Sequence, residues 1–94
     1  MSREIHTSSG SVFRDLGFSP DEAVILHMRA DLMAQLRKVI KAKKLTQSRA
    51  ASLLGVSQPR VSDLVRGKWE KFSLEMLIIL ATRAGLRVTV KTAA

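Results

Sequence analysis

The sequence predicts a single, mostly α-helical domain with a long first helix and a short β-strand at its end. Three observations carry that expectation. Apolar residues recur at helical spacing from position 25 to position 40. Three short segments follow, each opened by a Ser or Thr and the first two closed by Gly55 and Gly67, the third by Gly85. The tail then alternates strictly between apolar and polar residues over 86–92. A length of 94 residues suits one domain with one modest core.

Residues 1–18 are expected to form a flexible or extended segment, and residues 19–94 the folded domain. The stretch 1–12 is polar and serine-rich and lacks any period, so it is expected to be loose through Ser9. Val12, Phe13, Leu16 and Phe18 are expected to lay apolar side chains on the core as a short extended piece. Ser19-Pro20-Asp21-Glu22 reads as a helix start: Ser19 caps free amides, Pro20 suits the first helical position and Glu22 completes a capping box. The helix runs to about Lys43. Its main stripe is Ile25, Met28, Leu32, Leu36 and Val39, with Ile40 beside it, and Val24, Leu26 and Met33 widen the apolar surface. Met28 and Met33 are read as core filler.

The three short helices are expected at about 47–54, 58–66 and 74–84, capped by Thr46, Ser57 and Ser73. In the tail, Leu86, Val88 and Val90 face one way and Arg87, Thr89 and Lys91 the other. Such a strand needs a partner for its backbone groups. The two candidates are the piece near Val12 and Phe13 and the same strand of a second subunit.

Charge is distributed unevenly. The chain carries sixteen Lys and Arg against eight Asp and Glu, a net charge of +8. Residues 1–36 hold three basic and five acidic residues, net −2, so residues 37–94 carry +10. A basic surplus confined to one region points to a polyanion, nucleic acid first. Five cations crowd the eight positions 37–44, where they complement the helix dipole or meet phosphate.

Several classes are excluded at this level. Without cysteine there is no disulfide, no thiol catalysis and no cysteine zinc site. No apolar run reaches the length of a membrane span, and no secretory signal pattern opens the chain, so a soluble cytoplasmic protein without a membrane partner is expected. His6 and His27 lie in a tail and on a helix with no recognisable metal-ligand motif, so no metal is expected. There is no phosphate-binding loop, no dinucleotide fingerprint and no recognisable acid–base pair, so neither an enzyme nor a cofactor is expected.

Residues 46–68, TQSRAASLLGVSQPRVSDLVRGK, read as two capped helices crossing at a tight turn. Small Ala50 and Ala51 permit close approach, Val61 and Leu64 face inward, and Val56 plugs the turn. The outer face of the second helix carries Gln58, Arg60, Ser62, Asp63 and Arg66, side chains suited to base edges in a DNA major groove. This segment resembles the helix-turn-helix of the Xre family, which includes the Cro and phage lambda repressors. The matching residues are Thr46-Gln47, Ala51, Leu54-Gly55-Val56-Ser57, Val61-Ser62, Leu64 and Gly67-Lys68. The resemblance implies a lambda-repressor-like helical bundle. Gly67-Lys68 to Phe72-Ser73, with Ala84-Gly85-Leu86-Arg87-Val88 and the long first helix, is similar to a subgroup that includes small HigA-type antitoxins.

The resemblance implies a DNA-binding set of Gln47, Ser57, Gln58, Pro59, Arg60, Ser62, Asp63, Arg66 and Lys68. Gln47 opens the first helix of the motif, toward phosphate. Ser57 caps the second helix and can touch phosphate as well. Gln58 can pair with adenine, and Pro59 can meet a thymine methyl. Arg60 is expected to read guanine or to bind phosphate. Asp63 accepts from cytosine or steers Arg60 and Arg66, while Arg66 and Lys68 lie where backbone contacts are usual. Trp69 is expected to pack against the last helix rather than stack on a base. The implied function is a dimeric, sequence-specific transcriptional regulator on a palindromic double-stranded operator. As an antitoxin it would use its acidic, apolar part, residues 12–33, to hold a small basic ribonuclease toxin of the RelE-like class. The alternative is a stand-alone phage-like or host repressor with no toxin partner.

Overall fold

The computed structural model describes residues 3–6, 13 and 15–93. Helix α1 spans Pro20–Ala42, α2 Gln47–Leu54, α3 Gln58–Val65 and α4 Leu74–Arg83. A 3-10 turn covers Trp69–Lys71 between α3 and α4. Strand β1, Arg3–His6, pairs in parallel with β2, Val88–Lys91.

Local sequence accounts for each helix boundary. The Ser19 hydroxyl accepts the Glu22 amide at 3.3 Å and donates to Glu22 Oε1 at 2.8 Å, so Glu22 is tied to the cap through the hydroxyl and not, as in a capping box, through the Ser19 amide. Thr46 and Ser73 cap α2 and α4 at 3.1 Å each, and Ser57 caps α3 at 3.4 Å. Gly55 ends α2 at φ +70°, a left-handed conformation that a β-carbon disfavours. Its amide and that of Val56 both turn back to the Ala51 carbonyl, at 2.8 and 3.1 Å.

The core forms where α1 crosses α4. Met28, Leu32, Met33 and Leu36 of α1 meet Leu77, Leu80 and Ala81 of α4, with Leu54, Leu64 and Phe72 closing the cluster. A smaller cluster, Ala50, Ala51 and Val61, lies between α2 and α3, with Ile40, Leu45 and Val56 packed against it. Val56 touches both clusters, which suits a plug in the turn.

Of the expected stripe, Met28, Leu32 and Leu36 turn inward and its first residue, Ile25, does not. Ala23, Leu26 and Met33 are buried, whereas Ile25 is 42% exposed. Apolar residues occupy more than one side of this half-helix, so spacing alone could not select the inward face. The N-terminal segment departs from expectation too. Residues 3–6 form a strand in register with β2, Arg3 opposite Val88 and His6 opposite Lys91, where a loose tail through Ser9 was expected. Val12, offered as part of the strand's partner, lies outside the described residues, and Phe13 sits in a helical turn instead of an extended piece. The Leu16 and Phe18 amides both reach the Phe13 carbonyl at 3.2 Å. The physical reason is that β2 needs a hydrogen-bonding neighbour, and a four-residue polar strand serves as well as an apolar one. Leu86 and Val88 pack on the core, while Val90 stays 53% exposed.

The Leu36 side chain is fully enclosed at the centre of this core. Leu36→Ala is expected to lower unfolding free energy by about 2–5 kcal/mol, read from urea denaturation followed by circular dichroism.

Candidate nucleic-acid interface

Helices α2 and α3 form the helix-turn-helix pair, and both present polar N-termini. Gln47 is exposed at the first position of α2. Ser57, Gln58 and Pro59 are exposed at the start of α3, and Arg66 is exposed at its end. The first turn of α2 carries the Gln47 and Ser48 amides beyond the Arg49 amide that its cap engages, which suits phosphate or base-edge acceptors, whereas in α3 Pro59 has no N–H and Ser57 engages the Arg60 amide, which leaves the Gln58 amide. Ser62 is half-buried beside them.

Two residues of the expected set are occupied within the protein. The Arg60 Nη1 donates to the Lys71 carbonyl at 3.0 Å, and its guanidinium lies 4.3 Å from the Phe72 ring centroid. Phe72 is itself only 1% exposed. Arg60 therefore fastens the 3-10 turn to α3 by a cation–π contact and a charge-assisted hydrogen bond. Its guanidinium is thus half-buried and engaged by these two partners. Asp63 forms ion pairs with Lys68 and Lys71, both at 3.7 Å. That pairing holds the two lysines along the exit of α3. It also lowers the local positive charge, and its half-exposed geometry contributes little to stability.

Trp69 packs on the core cluster to which the last helix contributes Leu77, Leu80 and Ala81. It lies edge-on to Phe13, ring centroids 6.3 Å apart, and shares a cleft with Ile25, Leu26 and Arg29 of α1. The 3-10 turn carries it back across the bundle to the first helix.

The cations of α1 join the motif through space. The Arg37 Nη1 lies 3.5 Å from the point a β-carbon on Gly67 would occupy, so α1 reaches the exit of α3. A cleft of about 610 Å³ there has an apolar floor of Ala34, Ile40, Leu45 and Val65, rimmed by Arg37, Lys38, Lys41 and Lys44. Arg49, exposed on α2 two residues after Gln47, adds a cation that motif matching passed over; its signal was its place in the first exposed turn. Arg83 was passed over too. It donates to the Leu54 carbonyl at 2.8 Å and lies 3.0 Å from where a β-carbon on Gly55 would sit. It thus satisfies the C-terminal end of α2 from α4 and pins the turn. No local pattern marks such a contact, since its partners are 29 positions apart. Among the described residues, no three His, Asp or Glu side chains converge, and no helix is long and apolar enough to cross a membrane.

Two substitutions test this assignment of roles. Arg60→Ala is expected to cost about 1–2 kcal/mol of unfolding free energy, because the contacts it breaks are internal. Gly55→Ala is expected to cost about 1 kcal/mol or more, since it forces a β-carbon into a left-handed residue and against Arg83. Chemical denaturation of both variants checks these values.

Comparison with known proteins agrees with the geometry. A family model described as a helix-turn-helix domain matches residues 12–93. A solved structure named "Putative XRE Family Transcriptional Regulator" shares 33% sequence identity and superposes with a TM-score of 0.70, covering 74% of this chain and 79% of that one. No curated protein matches the sequence. With two capped helices crossing at a glycine turn, a polar outer face on the second, and these matches over most of its length, the chain belongs to the helix-turn-helix domain family, in its Xre-type branch.

Proposed function

We propose that this protein is a dimeric transcriptional regulator that binds a palindromic operator through α3. The observation that carries this reading is the exposed start of α3, Ser57-Gln58-Pro59, set on a rigid two-helix frame and flanked by the exposed cations Arg49 and Arg66. The chain is a DNA-binding transcriptional regulator of the Xre type. Gln58 offers a bidentate amide to adenine, Pro59 an apolar surface to thymine, and Gln47, Ser57, Ser62, Arg66 and Lys68 contacts around the duplex. The rim Arg37, Lys38, Lys41 and Lys44 continues the positive surface along the flanking backbone. Arg60 serves the interface from behind, by holding the turn that follows α3. Asp63 sets the position of Lys68 through its ion pair.

One α3 covers too few base pairs for useful specificity, so two copies on half-sites about 34–36 Å apart are required. The open edge of the β1–β2 pair and the apolar first half of α1 are the two surfaces available for that dimer. The acidic start of the chain supports an additional role as the antitoxin of a type II pair. Asp15, Asp21 and Glu22 are exposed there, around a Leu16 that is 70% exposed. Such a surface complements a small basic ribonuclease, and DNA binding would then regulate the pair's own promoter. A stand-alone repressor, with no toxin, is the alternative.

Three measurements test the proposal. Gln58→Ala is expected to lower discrimination between the operator and a mutated site by about 1–3 kcal/mol, whereas Arg66→Ala weakens binding to all sequences and reduces the salt slope by about 1. Both are read by fluorescence anisotropy across a salt series. Unchanged discrimination in Gln58→Ala would remove that residue from base recognition. Removing residues 86–94 and determining the mass in solution decides between the two dimer surfaces. Capture of the tagged protein from nuclease-treated host lysate decides the antitoxin role: a stoichiometric small basic partner supports it, and the protein alone, folded, favours the stand-alone repressor.

A further inference from the structure

The cleft at the end of α1 and the turn before its start carry opposite charge. The cleft, about 610 Å³, has an apolar floor of Ala34, Ile40, Leu45 and Val65. Its rim holds four cations and, among the described residues, no carboxylate. A phosphate backbone answers the rim but lays nothing apolar on the floor. The cleft as a whole suits an acidic segment that also carries an apolar side chain. The chain presents such a segment itself. Leu16 and Gly17 form a turn in which the Leu16 and Phe18 amides both reach the Phe13 carbonyl at 3.2 Å. Phe13 stands edge-on to both Phe18 and Trp69, with ring centroids 6.3 Å away in each case, and so ties the turn to the bundle. Leu16 is left outside, with 70% of its surface exposed. A β-carbon on the adjoining Gly17 would meet nothing within 4 Å, so the turn projects into open space. Asp15, Asp21 and Glu22 are exposed around it.

We propose that the acidic tip of one copy docks in the basic cleft of another, head to tail. Leu16 covers the apolar floor, while Asp15, Asp21 and Glu22 face the rim cations Arg37, Lys38, Lys41 and Lys44. The two surfaces cannot meet within one copy, because α1 holds them apart: its residues 20 and 38 are separated by about 27 Å along the helix axis. One leucine and three carboxylates make a small contact, so the docking is weak and reversible. It is also heterologous. Each docked copy leaves one tip and one cleft free, so copies add beyond any two-fold dimer. A docked tip covers the same cations that the proposed operator complex turns toward the flanking backbone, so the two contacts exclude each other. The docking itself concerns the protein alone and stands apart from the reading of α3 as the operator-binding helix.

The experiment dilutes the full-length protein from about 1 mM in about 0.15 M salt and follows its backbone amides by nuclear magnetic resonance. Amides of residues 15–22 and of residues 34–45 are expected to shift together, with one shared submillimolar midpoint. Movement of neither region, or of only one, would overturn the proposal. Charge reversal supplies a second arm. Asp15→Lys with Asp21→Lys, and separately Lys38→Glu with Lys41→Glu, are each expected to weaken self-association about tenfold or more in sedimentation equilibrium. Mixing the two variants is expected to restore association, because the first keeps the basic cleft and the second keeps the acidic tip. Both variants retain a net positive charge, so overall charge cannot produce that attraction. Circular dichroism confirms that each is folded. Undiminished self-association in either variant overturns the docking, as does a mixture of folded variants that stays apart. The dilution series on the unaltered protein remains decisive if a variant fails to fold.

Discussion

Two eight-residue helices cannot hold themselves together in water, because a helix that short barely recovers the cost of its own nucleation. Everything this protein presents on α2 and α3 therefore depends on Leu54 and Leu64, which anchor the two helices in the core built by α1 and α4. Leu54 is the last residue of α2, and the Arg83 bond to its carbonyl adds a polar tie at the same point. Packing and hydrogen bonding thus converge on the turn that sets the angle between the helices. The outer face of α3 is free to carry polar residues only because its inner face is so well committed.

The helices were legible in the sequence because their signals are local. Ser19, Thr46, Ser57 and Ser73 each cap a helix within three residues, and Gly55 needs no distant partner to stop one. What could not be read depends on contacts between distant positions. The inward face of early α1 is decided by what packs on it, so Leu26 goes in and Ile25 stays half open. The pairing of residues 3–6 with β2 leaves no periodic trace in a polar tetrapeptide. The 3-10 turn at Trp69–Lys71 has neither cap nor period, yet it determines where Arg60 and Trp69 go.

That turn also changes how the candidate interface divides its labour. Motif matching treats every polar residue on the outer face of α3 as a possible DNA contact. The structure separates them by what they already touch. Arg60 and Asp63 spend their charges on Lys71, Phe72 and Lys68, and this fixes the exit of the helix. Gln58 and Pro59 remain exposed at its start. On the proposed reading, recognition is concentrated in the first turn of α3, and the later turns serve to hold that turn still. On the same reading, the flanking cations of α1 supply long-range attraction without sequence preference.

The parallel pairing of β1 with β2 joins segments from opposite ends of the chain. Contacts between such distant segments form late, because the loop they close spans the whole helical bundle. The bundle must therefore be in place before the strands can meet, and the strands can part without undoing it. In hydrogen exchange this makes the strand pair a separate unit of opening, with amide protection well below that of α1 and α4.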